Sequence, residues 1–503
     1  MANKIQFKRG AKSLLPTLAV GEPALTTDTK ELFVGHANGN IGIATTKNLA
    51  DTAQSINVKY PFVPSLVAAK GDGITDDTAA IQAIIDYAME NGINVFFARG
   101  TYLVTETLLI DNSDSEHFID SRKINLIGSG IAQSIIHYTG TGAAIKVIGG
   151  KTGEYNSFFT YQQIKDIRFI GNNYAAGTKG IEIDTCSFMH LSNVEIQGFE
   201  YGFDALDMDN SSFTKCIFHY NSRGIRMQER SPRNPLTSCR PNNINFYDCQ
   251  IGGNLNWGGL FIGGSCINFF GGDVQGNGVG GEDTNKWGVQ FLNSGVQGGV
   301  GFNFYGTFFE SNHGVTDLWI YTQGTPDYGP QPCVYNLVGC TFNRSQDDWV
   351  STYNILAAFD SAIFGQQKLV VTGCAFKNFN DTYTPTGVPH VGFVLDPRDS
   401  KNFVFTNNVQ SEDNEKVIED NYLPLSTKTV GAIGEYKQIQ SALGGDLSLP
   451  SGGVWEWSGF FVHNSSGAMV YIGANLAGID SGGTKIMTGV ASHLAVATIR
   501  RIA

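Results

Sequence analysis

The chain has 503 residues, with 34 Lys or Arg against 46 Asp or Glu, so its formal charge is 34 − 46 = −12. That acidity argues against nucleic acid as a partner, because phosphate backbones are bound by basic surfaces. Hydrophobic content of 42% is too high for disorder, and 61 glycines without a three-residue period exclude collagen.

The first twelve residues, MANKIQFKRGAK, carry no apolar h-region, so no secretory signal is expected. No apolar run approaches the ~18 residues that would span a bilayer, and membrane insertion is not expected. Residues 5–43 open with IQFKRG and continue through GEPALTTDTKELFVG (21–35), a stretch too short to bury a sufficient core alone. This segment resembles the small N-terminal module of phage tail fibres and tropism determinants. The resemblance implies attachment to the phage tail or baseplate, or the start of trimerisation.

Residues 70–104 read as a capped helix followed by two strands. Asp76 or Asp77 suits the N-cap, Ile81, Ile84, Ile85 and Ala88 form one apolar stripe, and Gly92 ends the helix. The strand pair VFF and TYLV follows, and together they would cap an exposed solenoid end. GDGITDDTAAIQ (71–82) and GTYLV (100–104) resemble the opening of the pectate-lyase-like family of bacteriophage tailspike depolymerases. Gly71 and Asp76 are polar enough to look functional, but capping is the simpler role.

A repeat fills the middle of the chain. IKDIRFIGN (164–172) recurs as LSNVEIQGF (191–199), FTKCIFHYN (213–221), FYDCQIGGN (246–254) and FFGGDVQGN (269–277). It continues as FYGTFFESN (304–312), LVGCTFNRS (337–345), VTGCAFKNF (371–379) and FTNNVQSED (405–413). Apolar residues alternate at the start of each unit and then shift parity by one, which means two strands joined at a bend. A third strand follows as Gly-apolar-x-apolar in GIEI (180–183), GFDA (202–205), GIRM (224–227), GLFI (259–262), GVQF (288–291) and GFVL (392–395). Three short strands per coil of ~22 or more residues predict a parallel β-helix, whose core is buried only by stacking. Cys216, Cys249, Cys340 and Cys374 share the inward fourth position, where a thiol acts as a small hydrophobe. Asn172, Asn221, Asn254, Asn277 and Asn312 share the ninth, where stacked amides would satisfy turn backbone. With no CxxC or HExxH, neither a metal nor another cofactor is expected.

Beyond about residue 425, GGVWEWSGFFVHNSSGAMVYIG (452–473) reads as alternating strands. The expected organisation is an N-terminal module over 1–58, a right-handed parallel β-helix over 59–424 and a C-terminal β-domain over 425–503. The last would serve trimerisation or receptor contact. The family resemblance implies a homotrimer carried on the virion and acting at the outer surface of the host bacterium, after synthesis in the host cytoplasm. It would bind and cleave a bacterial surface polysaccharide.

Outward carboxylates in stacked ladders could cleave glycosidic bonds as an acid and base pair. Asp248, Asp273 and Glu310 stand at repeat positions three, five and seven of consecutive coils. Strand and coil spacings put neighbours ~8 Å apart, inverting geometry. GGDVQGNG (271–278) and FFESN (308–312) also resemble recurrent tailspike segments. The plainer reading of this trio is turn decoration. A second choice is Glu182 with Asp204, stacked ~5 Å apart in retaining geometry with Arg226 on the next coil. Close like charges would raise one pKa, although an arginine is also the ordinary way to neutralise such a stack. Glu282 and Asp283 are a third option. Arg226, Trp257, Trp287, Trp319 and Tyr321 are candidate sugar contacts, the aromatics by ring stacking. Arg223, Arg226 and Arg230 keep an arginine-base β-elimination open as an alternative, and a non-catalytic receptor-binding fibre is the other.

Overall fold

The computed structural model describes residues 8–28, 31–43, 54–113, 124–149, 160–228, 241–283, 285–293, 301–322, 333–344, 351–358, 367–378, 391–394 and 403–410. Between 436 and 501 it describes the backbone of the strands. The chain divides into two compact units, Met1–Val289 and Gln290–Ala503. No helix among the described residues is long and apolar enough to cross a membrane.

In the first unit, the strands Lys8–Gly10, Pro23–Thr26, Leu32–His36 and Gly39–Ile43 form a four-stranded sheet in sequence order. The first pair is parallel and the other two are antiparallel. The helix expected after residue 76 spans Thr78–Asn91. It buries Ile81, Ile84, Ile85 and Ala88 and ends at Gly92 in the left-handed conformation that glycine adopts freely. Asp76 accepts the Thr78 N–H at 3.0 Å, while Asp77, at the N-cap position, makes no side-chain bond to the helix and accepts the N–H groups of Lys70 and Gly71 at 2.6 and 2.8 Å. The strands Asn94–Phe97 and Gly100–Val104 are rungs of the solenoid itself rather than a separate cap. Val95 pairs with Ile56 on one side and Leu126 on the other, so coils begin well before the first repeat found in the sequence.

The repeat gives the register of the parallel β-helix. Its first position forms a continuous column, Ile164, Leu191, Phe213, Phe246 and Phe269. In that column Phe213, Phe246 and Phe269 stack at 4.6 and 4.5 Å. After the bend comes the ladder Arg168–Ile170, Glu195–Gln197, Ile217–His219, Gln250–Gly252 and Asp273–Gln275. At the fourth position of its coil a Cβ on Gly272, at φ +72°, would lie 2.1 Å from the Cys249 carbonyl oxygen, so that coil requires glycine there. Cys216 and Cys249 are buried free thiols, and burial pushes Cys216 well above its usual pKa, which makes it inert. Amides of Asn221, Asn254 and Asn277 form the expected ladder, with Asn254 Nδ2 donating to Asn277 Oδ1 at 2.8 Å. Asn172 does not join it. It is exposed, and the next coil holds Phe199 at the ninth position.

The third strand departs from the expectation in two ways. Tyr201–Thr214 runs through the corner and Lys179–Ser187 reaches it, so third and first strands belong to one sheet. The register also places Leu260, not Phe261, beside Arg226, so the repeat reads GGLF (258–261) rather than GLFI. A one-residue slip exchanges the two faces.

At the corner between third and first strands a left-handed residue recurs in register, Tyr161, Phe188, Asn210, Asn243 and Cys266, with φ of 46, 59, 45, 52 and 62°, and Thr185 and Asp207 are left-handed too, at 60 and 52°. Asparagine tolerates this region. Bulky residues there cost about 1–3 kcal/mol each. The Tyr161 and Phe188 rings stack at 4.7 Å and 8°, an arrangement that contributes about 0.5–1.5 kcal/mol.

In the second unit the same pattern continues. Phe304, Leu337, Val371 and Phe405 form the first-position column, and Phe309, Phe342 and Phe376 stack at 4.7 and 5.0 Å. Cys340 and Cys374 are buried at the fourth position. Towards the C-terminus, Val454–His463 pairs antiparallel with Met469–Tyr471, Gly478–Ser481 and Leu494–Arg501, the strand-rich character expected there.

Candidate active site

The third strands build an outward charge ladder in the first unit. Glu182, Asp204 and Arg226 are register partners as expected, and Lys146 precedes them. Lys179 bridges both acids at 2.9 and 2.8 Å, Lys146 binds Glu182 at 2.8 Å, and Arg226 grips Asp204 with two bonds of 2.8 and 2.9 Å. Burial opposes ionisation of both acids. The lysine bonds at Glu182 and the Arg226 fork at Asp204 outweigh it and hold each carboxyl below its ordinary pKa. The raised pKa expected of a general acid is therefore absent here: three cations serve two carboxylates. Arg226 spends its fork on Asp204 and lies 3.9 Å over the Tyr201 ring, so it is a brace before it is a sugar contact.

In the neighbouring column Arg223 is likewise committed to carboxylates. Arg223 binds Glu200 at 2.9 Å and Asp283 at 2.9 and 3.2 Å. Burial works against the Arg223 and Arg226 charges, but their carboxylate partners raise both pKa values, the wrong direction for a base. Asp283 is an anchor for its turn, Glu282 is exposed, and Arg230 lies outside the described residues.

On the second sheet, Asp273 opens its strand and pairs in register with Gln250. Asp248, two residues before Gln250, is exposed at the bend with φ 49°. Glu310 ends the strand Phe308–Glu310 in the second unit, where it accepts the Asn343 amide at 2.7 Å. Among the described residues, Glu310 makes no ion pair. The repeat also held a cluster that was overlooked. Glu195 occupies the same fifth position as Asp273, and it binds Arg168 at 2.8 Å and His219 at 3.0 Å. Reading position five down the coils would have found it. Burial opposes the Glu195 charge, yet His219 and Arg168 keep its pKa low, so it too is held as a carboxylate.

The tryptophans divide. Trp257 and Trp287 are 4% and 9% exposed and stack on each other at 6.0 Å, with Trp287 Nε1 donating to the Gly259 carbonyl at 3.1 Å. They are withdrawn from solvent and offer no sugar platform. Trp319 and Tyr321 are half-buried, edge to face at 6.4 Å on the strand Gly314–Thr322. Among the described residues no group of three or more His, Cys, Asp or Glu side chains could hold a metal ion.

The charge ladder predicts a pH dependence. Glu182, Asp204 and Glu195 have folded pKa values below their unfolded ones, so their contribution is complete above about pH 4.5 and disappears as pH falls through the folded values. Thermal midpoints should be flat from pH 7 to 5 and drop steeply below 4. A midpoint that stays level to pH 3 would refute this.

Residues 67–280 match the family described as rhamnogalacturonase A/epimerase, pectate lyase-like, and residues 5–36 match the major tropism determinant N-terminal domain. Over 160 residues the chain is 28% identical to "Depolymerase 1, capsule KN3-specific" of Klebsiella phage KN3-1; the match covers 30% of this chain and 20% of that protein. Two solved structures are similar. Geobacillus virus E2 ORF18 has a TM-score of 0.45 and 16% identity, with 97% of this chain and 90% of that one covered. The bacteriophage CBA120 tailspike protein 2 enzymatically active domain has a TM-score of 0.48 and 12% identity, with 99% and 80% covered.

Proposed function

We propose that this chain, a pectate-lyase-like parallel β-helix behind a tail-fibre module, is a bacteriophage tailspike that binds and depolymerises a bacterial surface polysaccharide. The observation that carries the reading is the identity to a phage capsule depolymerase in a chain that also has the tropism-determinant module. Since the match spans a fifth of that relative, the substrate of this chain is its own question. The protein works as a homotrimer on the phage tail, at the outer surface of the host, with the N-terminal module as its tail or baseplate attachment.

Hydrolysis needs two carboxyl groups. One, protonated, gives its proton to the glycosidic oxygen. The other takes a proton from water, whose oxygen bonds to the anomeric carbon as the C–O bond breaks. By their repeat positions Asp273, in the first unit, and Glu310, in the second, are our candidates for these roles, with Asp248 as a further contact. What supports the choice is that Glu182 and Asp204 are each locked to two cationic partners and Glu195 to Arg168 and the His219 ring. The test is to incubate purified protein with capsular, O-antigen and wall polysaccharides and analyse the products. New reducing ends are expected. Absorbance from an unsaturated uronate would replace hydrolysis by elimination, and intact polymer throughout would leave a non-catalytic receptor-binding fibre.

A further inference from the structure

We propose that Tyr220, with the side-chain amides of Gln250 and Gln275, forms a subsite for an uncharged sugar residue beside Asp273. The inference deepens the polysaccharide reading above and rests on it. At the eighth repeat position the coils on either side carry Gly198 and Gly253, so no side chain flanks the tyrosine in that row. Tyr220 is 57% exposed, yet its ring is held in place. The His219 ring lies against it, with centroids 4.6 Å apart and planes tilted by 35°. Towards the next coil the ring comes so close to the backbone that a Cβ on Gly253 would lie 2.8 Å from Cε1.

His219 is fixed in turn. Its Nε2 lies 3.0 Å from Glu195 Oε1, and Arg168 binds the other carboxylate oxygen at 2.8 Å. Desolvating a carboxylate cancels much of what such pairing returns, so a buried ion pair is weak evidence of a purely stabilising role. What this one supplies is orientation, since Arg168, Glu195 and His219 on successive coils carry one exposed ring. A ring already set in place loses little freedom when a ligand arrives, and its face suits the apolar face of a pyranose.

The polar half stands beside it. In register, His219 faces Gly252 and then Gln275, while Gln250 faces Asp273. Gln275 follows Asp273 by two residues on one strand, so both project from the same face. Gln275 is exposed and Gln250 half-buried, and neither side-chain amide has a hydrogen-bond partner among the described residues. Each amide offers two donors and an acceptor, which match hydroxyl and acetamido groups. Arg168 is the one lysine or arginine in these two rows from its own coil to that of Asp273, and it is committed to Glu195. A carboxylated sugar would therefore meet Asp273 with no free cation in either row, which selects an uncharged one.

Native protein and Tyr220→Ala are applied to a printed array of purified bacterial capsular and O-antigen polysaccharides, and their thermal midpoints are measured. Tyr220→Ala should bind the recognised polymer at least about tenfold more weakly. Its midpoint should stay within about 2 °C of native, because the ring is mostly in water. Tyr220→Phe keeps the ring and should retain most of the affinity. Gln275→Ala, a change at an exposed amide that leaves the fold alone, should lose about two- to tenfold. Equal affinity of native, Tyr220→Ala and Gln275→Ala would overturn the subsite, as would binding confined to polymers in which every sugar is acidic. A midpoint lowered by several degrees in Tyr220→Ala, with Gln275→Ala binding as native, would make the ring packing and overturn it too. A native protein that binds no polymer on the array would sink the polysaccharide reading itself, an outcome visible without any variant.

Discussion

Arg226→Ala should destabilise the folded chain by about 3 kcal/mol, measured as a lower urea or thermal midpoint. The reason is what it leaves behind. Asp204 is 3% exposed, and Arg226 supplies two of its three charged bonds, so truncation strands a buried carboxylate on Lys179 alone. The stacked Tyr201 ring loses its guanidinium as well. Arg226→Lys should recover only part of the loss, since an ammonium cannot form the planar fork. The decisive variant adds Asp204→Asn to Arg226→Ala. If the cost comes from an uncompensated charge, removing the charge restores much of the stability even though another group has been deleted. A double variant no better than Arg226→Ala would assign the loss to packing instead.

The same ladder shows what was legible in the sequence and what was not. Spacings of 22 residues between Glu182, Asp204 and Arg226 suffice to predict their stacking, because a coil without insertions returns each residue to the same place. Phe246 over Phe269 was legible on the same ground. Lys146 and Lys179 were not. Lys146 precedes the first repeat found in the sequence, and Lys179 reaches two carboxylates from a neighbouring position. Charge balance is a sum over coils, so a pair of acids read alone suggested the opposite pKa shift from the one their cations impose. The third strand failed for a smaller reason. Two glycines, Gly258 and Gly259, allow either parity, and only pairing with Ile225 and Met227 selects one. That choice exchanges the two faces of the strand, while the burial of Trp257 and Trp287 against each other is a contact between coils that one repeat read alone does not show. The left-handed corner has no apolar period at all, so Tyr161 and Phe188 carried no signal that separates them from loop residues.

Asp273→Asn and Glu310→Gln should each lower the rate of polymer cleavage about 10²–10⁴-fold while leaving polysaccharide affinity within a few-fold of native. Each change keeps the side-chain volume and removes only the ability to exchange a proton. For Glu310→Gln the Asn343 amide at 2.7 Å still finds a carbonyl oxygen, so the fold should be undisturbed and thermal midpoints unchanged. Residues acting in one step are not additive, so the double variant should be about as slow as the slower single one. The control is Glu182→Gln. It leaves Lys146 and Lys179 short of a partner, so it should lower the midpoint and leave the rate per folded molecule intact. Full cleavage by both Asp273→Asn and Glu310→Gln would reject this pair. A lost rate in Glu182→Gln at unchanged midpoint would move the chemistry to the third-strand ladder, where the acid would then have to work against three cations.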